Sequence, residues 1–260
     1  MEKFVLVTGA CINTGVAIVE KFASEGCNVV FTGRDPEKVA ACEVQYQEKF
    51  PQVKILGYAI TSLIDDRTVD EQAVADMFAW LDEKQILVDT LVLNAADQGL
   101  SMEVFKSPLT DFMRVLNVNV CWNFCLCEHA AERMKGQGGG SITFLNSNTA
   151  YRAIPDRTAY VASKGGQLGL MRALALDLGK YNIRVNAVLP GMIRTERWVK
   201  NPDFYKTVPS RYTPIGDVAD GTDIADAVWY FAKHARNTTG AELVVDGGNT
   251  IQLYPIIPNE

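Results

Sequence analysis

Two histidines, His129 and His234, are all that the 260 residues contain. The six cysteines, Cys11, Cys27, Cys42, Cys121, Cys125 and Cys127, include no Cys-x-x-Cys pair. Structural zinc draws on such pairs and on imidazole. No metal centre is therefore expected, and even the three thiols crowded at 121–127 read as packing. No apolar run approaches the ~18 residues of a membrane span, so no membrane partner is expected. The opening residues, Met1 to Val7, read as a strand and not as a secretory leader, which points to a reducing cytoplasm with free thiols. Basic residues number 25 against 31 acidic ones, for a formal charge of −6; a nucleic-acid surface would carry the opposite excess. There is no Pro/Ser-rich linker, no internal repeat and no charge block. One domain over residues 1–260 is the expectation.

What is present is an apolar fraction of 48% against 22% charged residues, enough at this length to build a core without disulfides. Short apolar runs alternate with longer stretches of helical period, the pattern of an α/β doubly wound parallel sheet with helices on both faces. The spacing predicts strands at residues 4–8, 28–32, 53–58, 89–93, 141–146, 182–189 and 241–245. A first helix opens after Thr14, stacks Val16, Val19, Phe22 and Ala23 on one side, and ends at Gly26. A second opens at Asp35-Pro36, with Asp35 as N-cap and Pro36 in the first turn. The stretch 192–217 breaks the rhythm, scattering Trp198, Phe204, Tyr205 and Tyr212 among Pro202, Pro209 and Pro214. Irregular chain of this length is either a lid over a substrate site or a loop packed permanently on the surface.

Between the first strand and first helix lies Thr8-Gly9-Ala10-Cys11-Ile12-Asn13-Thr14-Gly15. Glycines at such a turn let backbone approach a pyrophosphate, and amides opening the helix point at the anion. Asn13 stands where a third glycine is expected, and asparagine tolerates positive φ better than most side chains. The second strand ends in Gly33-Arg34-Asp35. A dinucleotide site specific for NAD would present a carboxylate to the adenosine ribose near Gly33; Arg34 suits a 2′-phosphate instead. NADP(H) is thus preferred over NAD(H), unless Arg34 is merely solvated and Asp35 only caps the next helix.

Tyr160-Val161-Ala162-Ser163-Lys164 continues with Leu168, Met171, Leu174 and Leu178 at helical period, so Tyr160 and Lys164 share a face. An adjacent ammonium favours phenolate, which would make Tyr160 a usable proton donor and acceptor. Ser147 closes the strand Ile142-Thr143-Phe144-Leu145-Asn146, at the end where open α/β sheets bind ligands.

With these residues the chain resembles the short-chain dehydrogenase/reductase family, in its compact one-domain, Rossmann-like form. Beside the Thr8 to Gly15 turn, the resemblance includes Leu93-Asn94-Ala95-Ala96, Asn119 in Asn117-Val118-Asn119-Val120, and the Ser147, Tyr160 and Lys164 set. It extends through Pro190-Gly191-Met192-Ile193-Arg194-Thr195 to Val245-Asp246-Gly247-Gly248. The resemblance implies hydride transfer between nicotinamide C4 and a carbonyl or secondary alcohol. In it Tyr160 is the general acid/base, Ser147 bonds the same substrate oxygen, Lys164 holds the nicotinamide ribose and lowers the Tyr160 pKa, and Asn119 positions a water. It also implies cofactor contacts at Gly9, Cys11, Asn13, Thr14 and Gly15, at Arg34 and Ile60, and at Asn94 and Ala95. Pro190, Gly191, Ile193 and Thr195 complete them, with Tyr160 and Lys164. The chain departs from the family at Asn13, at Leu93 and Ala96, and at Ala59-Ile60, where an aspartate often contacts adenine. Enoyl reduction on an acyl carrier uses a related fold but a longer Tyr to Lys spacing. A dinucleotide-binding protein without turnover is the alternative reading.

Asp97 to Leu100, Asn148 to Arg152 and the loop after Met192 are expected to face substrate. Arg152, Arg194, Arg197, Lys200 and Arg211 there suit an anionic substrate or are simply solvated. The helices from Pro108 to Lys135 and from Lys164 to Leu178 carry apolar residues broadly around their circumference, so a homo-oligomer, tetramer or dimer, is expected.

Overall fold

The computed structural model describes residues 2–196 and 212–253. Its strands are β1 (Glu2–Val7), β2 (Asn28–Gly33), β3 (Ile55–Ala59), β4 (Ile86–Leu93), β5 (Gly140–Leu145), β6 (Ile183–Pro190) and β7 (Glu242–Val245). They form one parallel sheet in the order β3-β2-β1-β4-β5-β6-β7. Each strand lies near its predicted place. The largest difference is β4, which begins at Ile86, ahead of residue 89, because Ile86, Leu87 and Val88 pair with Glu2, Lys3 and Phe4. The register then slips, Phe4 facing Val88 but Val5 facing Thr90, so Asp89 is an extra residue in the ladder; a bulge is invisible to an alternation count.

Parallel strands buried on both faces read as unbroken apolar runs, and β1 shows why. Phe4 and Leu6 belong to one core and Val5 and Val7 to the other. The first core is closed by α3 (Glu71–Glu83), α5 (Trp122–Gly136) and α6 (Thr158–Gly179). The second is closed by α1 (Asn13–Ser24), α2 (Pro36–Lys49) and α7 (Gly221–Trp229). On α1 the buried stripe is Ile18, Val19, Phe22 and Ala23, with Val16 only partly covered. Asp35 caps α2 as predicted, accepting from the amides of Glu37 and Lys38 at 3.1 and 3.3 Å.

The expected helix from Pro108 is α4 (Leu109–Leu116), which runs into α5 through a π turn, Asn117–Cys121. An inserted residue of this kind commonly sits at a functional position, and here it holds Asn119. On α6 one stripe is buried, Ser163, Lys164, Gln167, Leu168 and Met171 among it, while Leu176 stays 84% exposed. All six cysteines are free thiols, with Cys125 and Cys127 buried and Cys121 exposed. No helix among the described residues is long and apolar enough to cross a membrane.

Candidate active site

Chain direction diverges on either side of β1, whose neighbours are β2 and β4. In open α/β sheets the crevice for a ligand opens at the carboxyl ends of such strands. A cleft of about 790 Å³ lies there, and it collects every candidate cofactor and catalytic residue of the sequence except Asn119.

The turn after β1 is locked from behind. Thr8 Oγ1 accepts from the amides of Asn94 and Ala95, both at 3.0 Å, and Asn94 Nδ2 donates to the carbonyls of Thr8 and Gly9 at 2.9 and 2.8 Å. Gly9 has φ +66°, and a Cβ there would stand 2.9 Å from Ala95 Cα. A Cβ on Gly15 would lie 2.5 Å from the Gly9 carbonyl oxygen. Asn13 has φ +50°, so asparagine does occupy a left-handed position, as its tolerance allows. Helix α1 starts with no side-chain cap at Ile12 and no acidic residue in its first turn. Uncapped amides at the positive end of the helix dipole fit a pyrophosphate.

At the far end of the cleft, Gly33 is packed where a side chain cannot go: a Cβ would meet Cys11 Sγ at 2.7 Å and Val39 at 2.8 Å. The next residue, Arg34, is exposed on the cleft wall beside Lys38 and Ser62. Asp35, the nearest carboxylate in sequence, turns back to cap α2. The position therefore offers Arg34 and Lys38 to a ribose substituent, while Asp35, also on the cleft wall, is held by the α2 amides and lies 3.9 Å from Lys38 Nζ. Ile60, 6% exposed, closes this end with its amide bonded to Gly33 O at 2.9 Å.

At the other end, Ser147 follows β5 as the N-cap of a short 3-10 turn, its Oγ accepting from Thr149 N at 3.2 Å. It also acts on the Tyr160 phenol, pulling its pKa down. Lys164, one turn along α6, is 1% exposed; Nζ lies 5.6 Å from the Tyr160 ring centroid and donates to Leu145 O at 2.9 Å and Gln167 Oε1 at 3.0 Å. Burial pushes Tyr160 above its ordinary value, against the lowering pull of the Ser147 hydrogen bond and the Arg157 charge. Burial also lowers Lys164 to about 7. An ammonium buried without a counter-ion is itself driven toward neutrality, and the groups that lower Tyr160 here are Ser147 and Arg157.

Asn119 lies behind the cleft wall, fully buried. Its side chain pins the following loop, accepting from Asp97 N at 2.7 Å and donating to Asp97 O at 2.8 Å and Ser163 Oγ at 2.9 Å. Its backbone carbonyl accepts from Asn123 Nδ2 at 2.9 Å and Gln167 Nε2 at 2.7 Å.

On the substrate side, Asp97 and Gln98 line the cleft, joined by Arg114, Val118 and Trp122 from the α4–α5 region. Arg114 bridges Asp97 and Asp111. Two expected cations are spent elsewhere. Arg152 donates to the carbonyls of Asn249 and Gln252, and Arg194 pairs with Asp217 and Asp220. Arg197, Trp198, Lys200, Phe204, Tyr205 and Arg211 lie outside the described residues, as does most of the 192–217 loop. The sequence reading missed Gln167, Arg114, Lys38 and Ser62. Gln167 alone left a signal, a polar residue on the same helical face as Lys164, Leu168 and Met171.

A family model described as enoyl-(acyl carrier protein) reductase matches residues 9–250. A 3alpha-hydroxysteroid dehydrogenase of Mediterraneibacter gnavus is 35% identical over 95% of this chain and 96% of its own length. An NADP-dependent (R)-specific alcohol dehydrogenase of Lentilactobacillus kefiri is 33% identical over 96% of this chain and 97% of its own. Among solved structures, L-sorbose reductase of Gluconobacter frateurii, complexed with NADPH and L-sorbose, superposes with a TM-score of 0.88 at 25% identity, covering 97% of this chain and 98% of that one.

Proposed function

The chain belongs to the short-chain dehydrogenase/reductase family, and from that premise we propose that it is an NADP-preferring oxidoreductase acting on a ketone and its secondary alcohol. One observation carries the reading. A buried serine hydroxyl and a tyrosine phenol meet at the strand ends, with Lys164, in one cleft whose other end is a glycine turn and an unengaged arginine. The relatives are named for alcohol and hydroxysteroid oxidation or, for the structural neighbour, sugar reduction, and no catalytic position is vacated here, which leaves the turnover-free alternative without support. The Tyr160 to Lys164 spacing of four, together with those relatives, favours the carbonyl/alcohol pair over enoyl reduction.

The residues divide the work along the cleft. Gly9 and Gly15 keep the turn open to a pyrophosphate, the α1 amides bind it, and Arg34 with Lys38 takes the 2′-phosphate. Asn94 holds the turn, while Ala95, Pro190, Gly191, Ile193 and Thr195 wall the nicotinamide half. A nicotinamide bound there supplies the hydride acceptor or donor. Ser147 and Tyr160 converge on the substrate oxygen. During reduction Tyr160 gives its proton to the developing alkoxide; during oxidation its phenolate takes the alcohol proton. The desolvated pocket strengthens both hydrogen bonds at the moment charge develops.

We extend the same reading to the whole chain: one catalytic domain, working in a reducing cytoplasm suited to its free thiols, and paired with copies of itself through the exposed apolar side chains of α4 to α6, Leu109, Phe124 and Leu176 among them. The test is a parallel fluorescence titration with NADPH and NADH, followed by initial rates on a panel of secondary alcohols and ketones. Tighter NADPH binding and turnover on the panel are expected. Binding of neither nucleotide overturns the reading.

A further inference from the structure

We propose that Gln167 is a positioning residue for the active-site lysine: its side-chain amide ties Lys164 Nζ to the backbone carbonyl of Asn119 and so fixes the ammonium in place. This deepens the oxidoreductase reading and rests on it for the catalytic consequence alone.

Gln167 lies just under one turn beyond Lys164 on α6 and has no exposed surface. Its Oε1 accepts from Lys164 Nζ at 3.0 Å and from Asn146 Nδ2 at 3.2 Å, while Nε2 donates to Asn119 O at 2.7 Å. The partners set the orientation of the amide, because a flip would face Nε2 against two donors and Oε1 against a carbonyl. The amide presents an acceptor to the ammonium and, on a separate atom, a donor to the carbonyl. A carboxylate would repel the carbonyl, and an apolar side chain would leave both unmet in a dry interior.

The surroundings make this contact decisive for Lys164. The lysine donates to two neutral acceptors, Leu145 O at the end of β5 and the Gln167 amide. Tyr160 on its own helix is the titratable group beside it, 5.6 Å from Nζ to the ring centroid. No carboxylate among the described residues acts on Lys164, and burial is the sole cause that lowers it. The Asn119 carbonyl, placed in the π turn, already accepts two side-chain amides, from Asn123 and Gln167. The tie therefore joins three elements, α6, the π turn and the segment after β5, at one side-chain amide.

The experiment uses the full-length protein labelled with [ε-13C]lysine, without nucleotide, and follows the Lys164 signal by NMR across pH; Lys164→Met assigns it. Gln167→Met removes the acceptor at nearly constant volume and is expected to lower the Lys164 midpoint by about half a unit or more, whereas Gln167→Glu sets a carboxylate on Nζ and is expected to raise it by about one unit or more. In the same variants kcat for alcohol oxidation is expected to fall about tenfold for Gln167→Met with the NADPH Kd within about threefold of the parent. Midpoints that stay put in the folded variants overturn the proposal. If Gln167→Met does not fold, the upward shift in Gln167→Glu decides alone. A midpoint that moves as stated in a protein that turns over no secondary alcohol leaves the tie standing and removes the oxidoreductase reading instead.

Discussion

Lys164 Nζ lies 5.6 Å from the centroid of the Tyr160 ring, yet its hydrogen bonds go to the Leu145 carbonyl and the Gln167 amide. The two residues share a helix face, as the i, i+4 spacing requires. Each is shifted by its own burial, the phenol upward and the ammonium downward. Burial thus keeps the phenol protonated through neutral pH and brings the lysine to about 7, where it gains and loses its proton near neutrality.

The first consequence is a pH profile. Because burial holds Tyr160 above the ordinary phenol range, its proton stays on through neutral pH. Ketone reduction, which needs that proton, is expected to be flat through neutrality and to fall only in alkali. Alcohol oxidation, which needs the phenolate, is expected to climb into the alkaline range. Ser147→Ala removes a group that pulls Tyr160 down, so the oxidation limb is expected to move further toward alkali, with kcat lower by roughly 100-fold. Initial rates in both directions across pH check the order of the limbs.

Tyr160→Phe removes the proton donor and leaves the ring in place. Turnover is expected to fall by about 10²–10⁴ with nucleotide Kd nearly unchanged. Stopped-flow or steady-state rates beside a nucleotide titration separate the two quantities. Full activity in this variant would assign the proton to another group.

How much of this was legible beforehand differs from part to part. Strand positions follow from apolar runs because both sheet faces are buried, and Asp35-Pro36 marked its helix start through local capping chemistry. The Thr8 to Gly15 turn and the Ser147, Tyr160 and Lys164 set were readable because each function depends on residue type at fixed spacing. The π turn at Asn117–Cys121 was not, since its one extra residue leaves no trace in helical periodicity. Nor was the pKa direction of Lys164, which depends on which acceptors surround it in space. Gln167 was visible only as a polar residue on a buried stripe, and two of its partners, Asn146 and Asn119, come from 21 and 48 residues away. Arg152 and Arg194 showed the opposite failure: their charge was legible, their partners Asn249, Gln252, Asp217 and Asp220 were not.

Cofactor choice turns on Arg34. With Gly33 tightly packed and Asp35 occupied on α2, the proposed 2′-phosphate preference rests on this guanidinium and on Lys38. Arg34→Ala is expected to weaken NADPH binding by about tenfold, equivalent to about 1.4 kcal/mol, and to leave NADH binding nearly unchanged. Fluorescence titration of both nucleotides gives the ratio. Equal losses for both would place Arg34 away from the phosphate.

The buried lysine also costs stability, and the sign follows from its shift. Lys164 is lowered from its ordinary 10.5 to about 7 in the folded chain, so between those values the unfolded chain binds the extra proton. Stability is therefore expected to rise as pH increases from 7 toward 10.5, and the penalty is complete below 7. Lys164→Met removes the penalty but strands the Leu145 carbonyl and the Gln167 amide, a loss on the order of 1–3 kcal/mol that offsets part of the gain. The net expectation is a variant more stable than the parent by about 2 kcal/mol near pH 6, an advantage that disappears toward pH 10, together with loss of catalysis. Urea midpoints of parent and variant at the two pH values test it. A variant less stable than its parent at pH 6 would mean that Lys164 is accommodated as a charge, by groups other than the neutral acceptors seen around it.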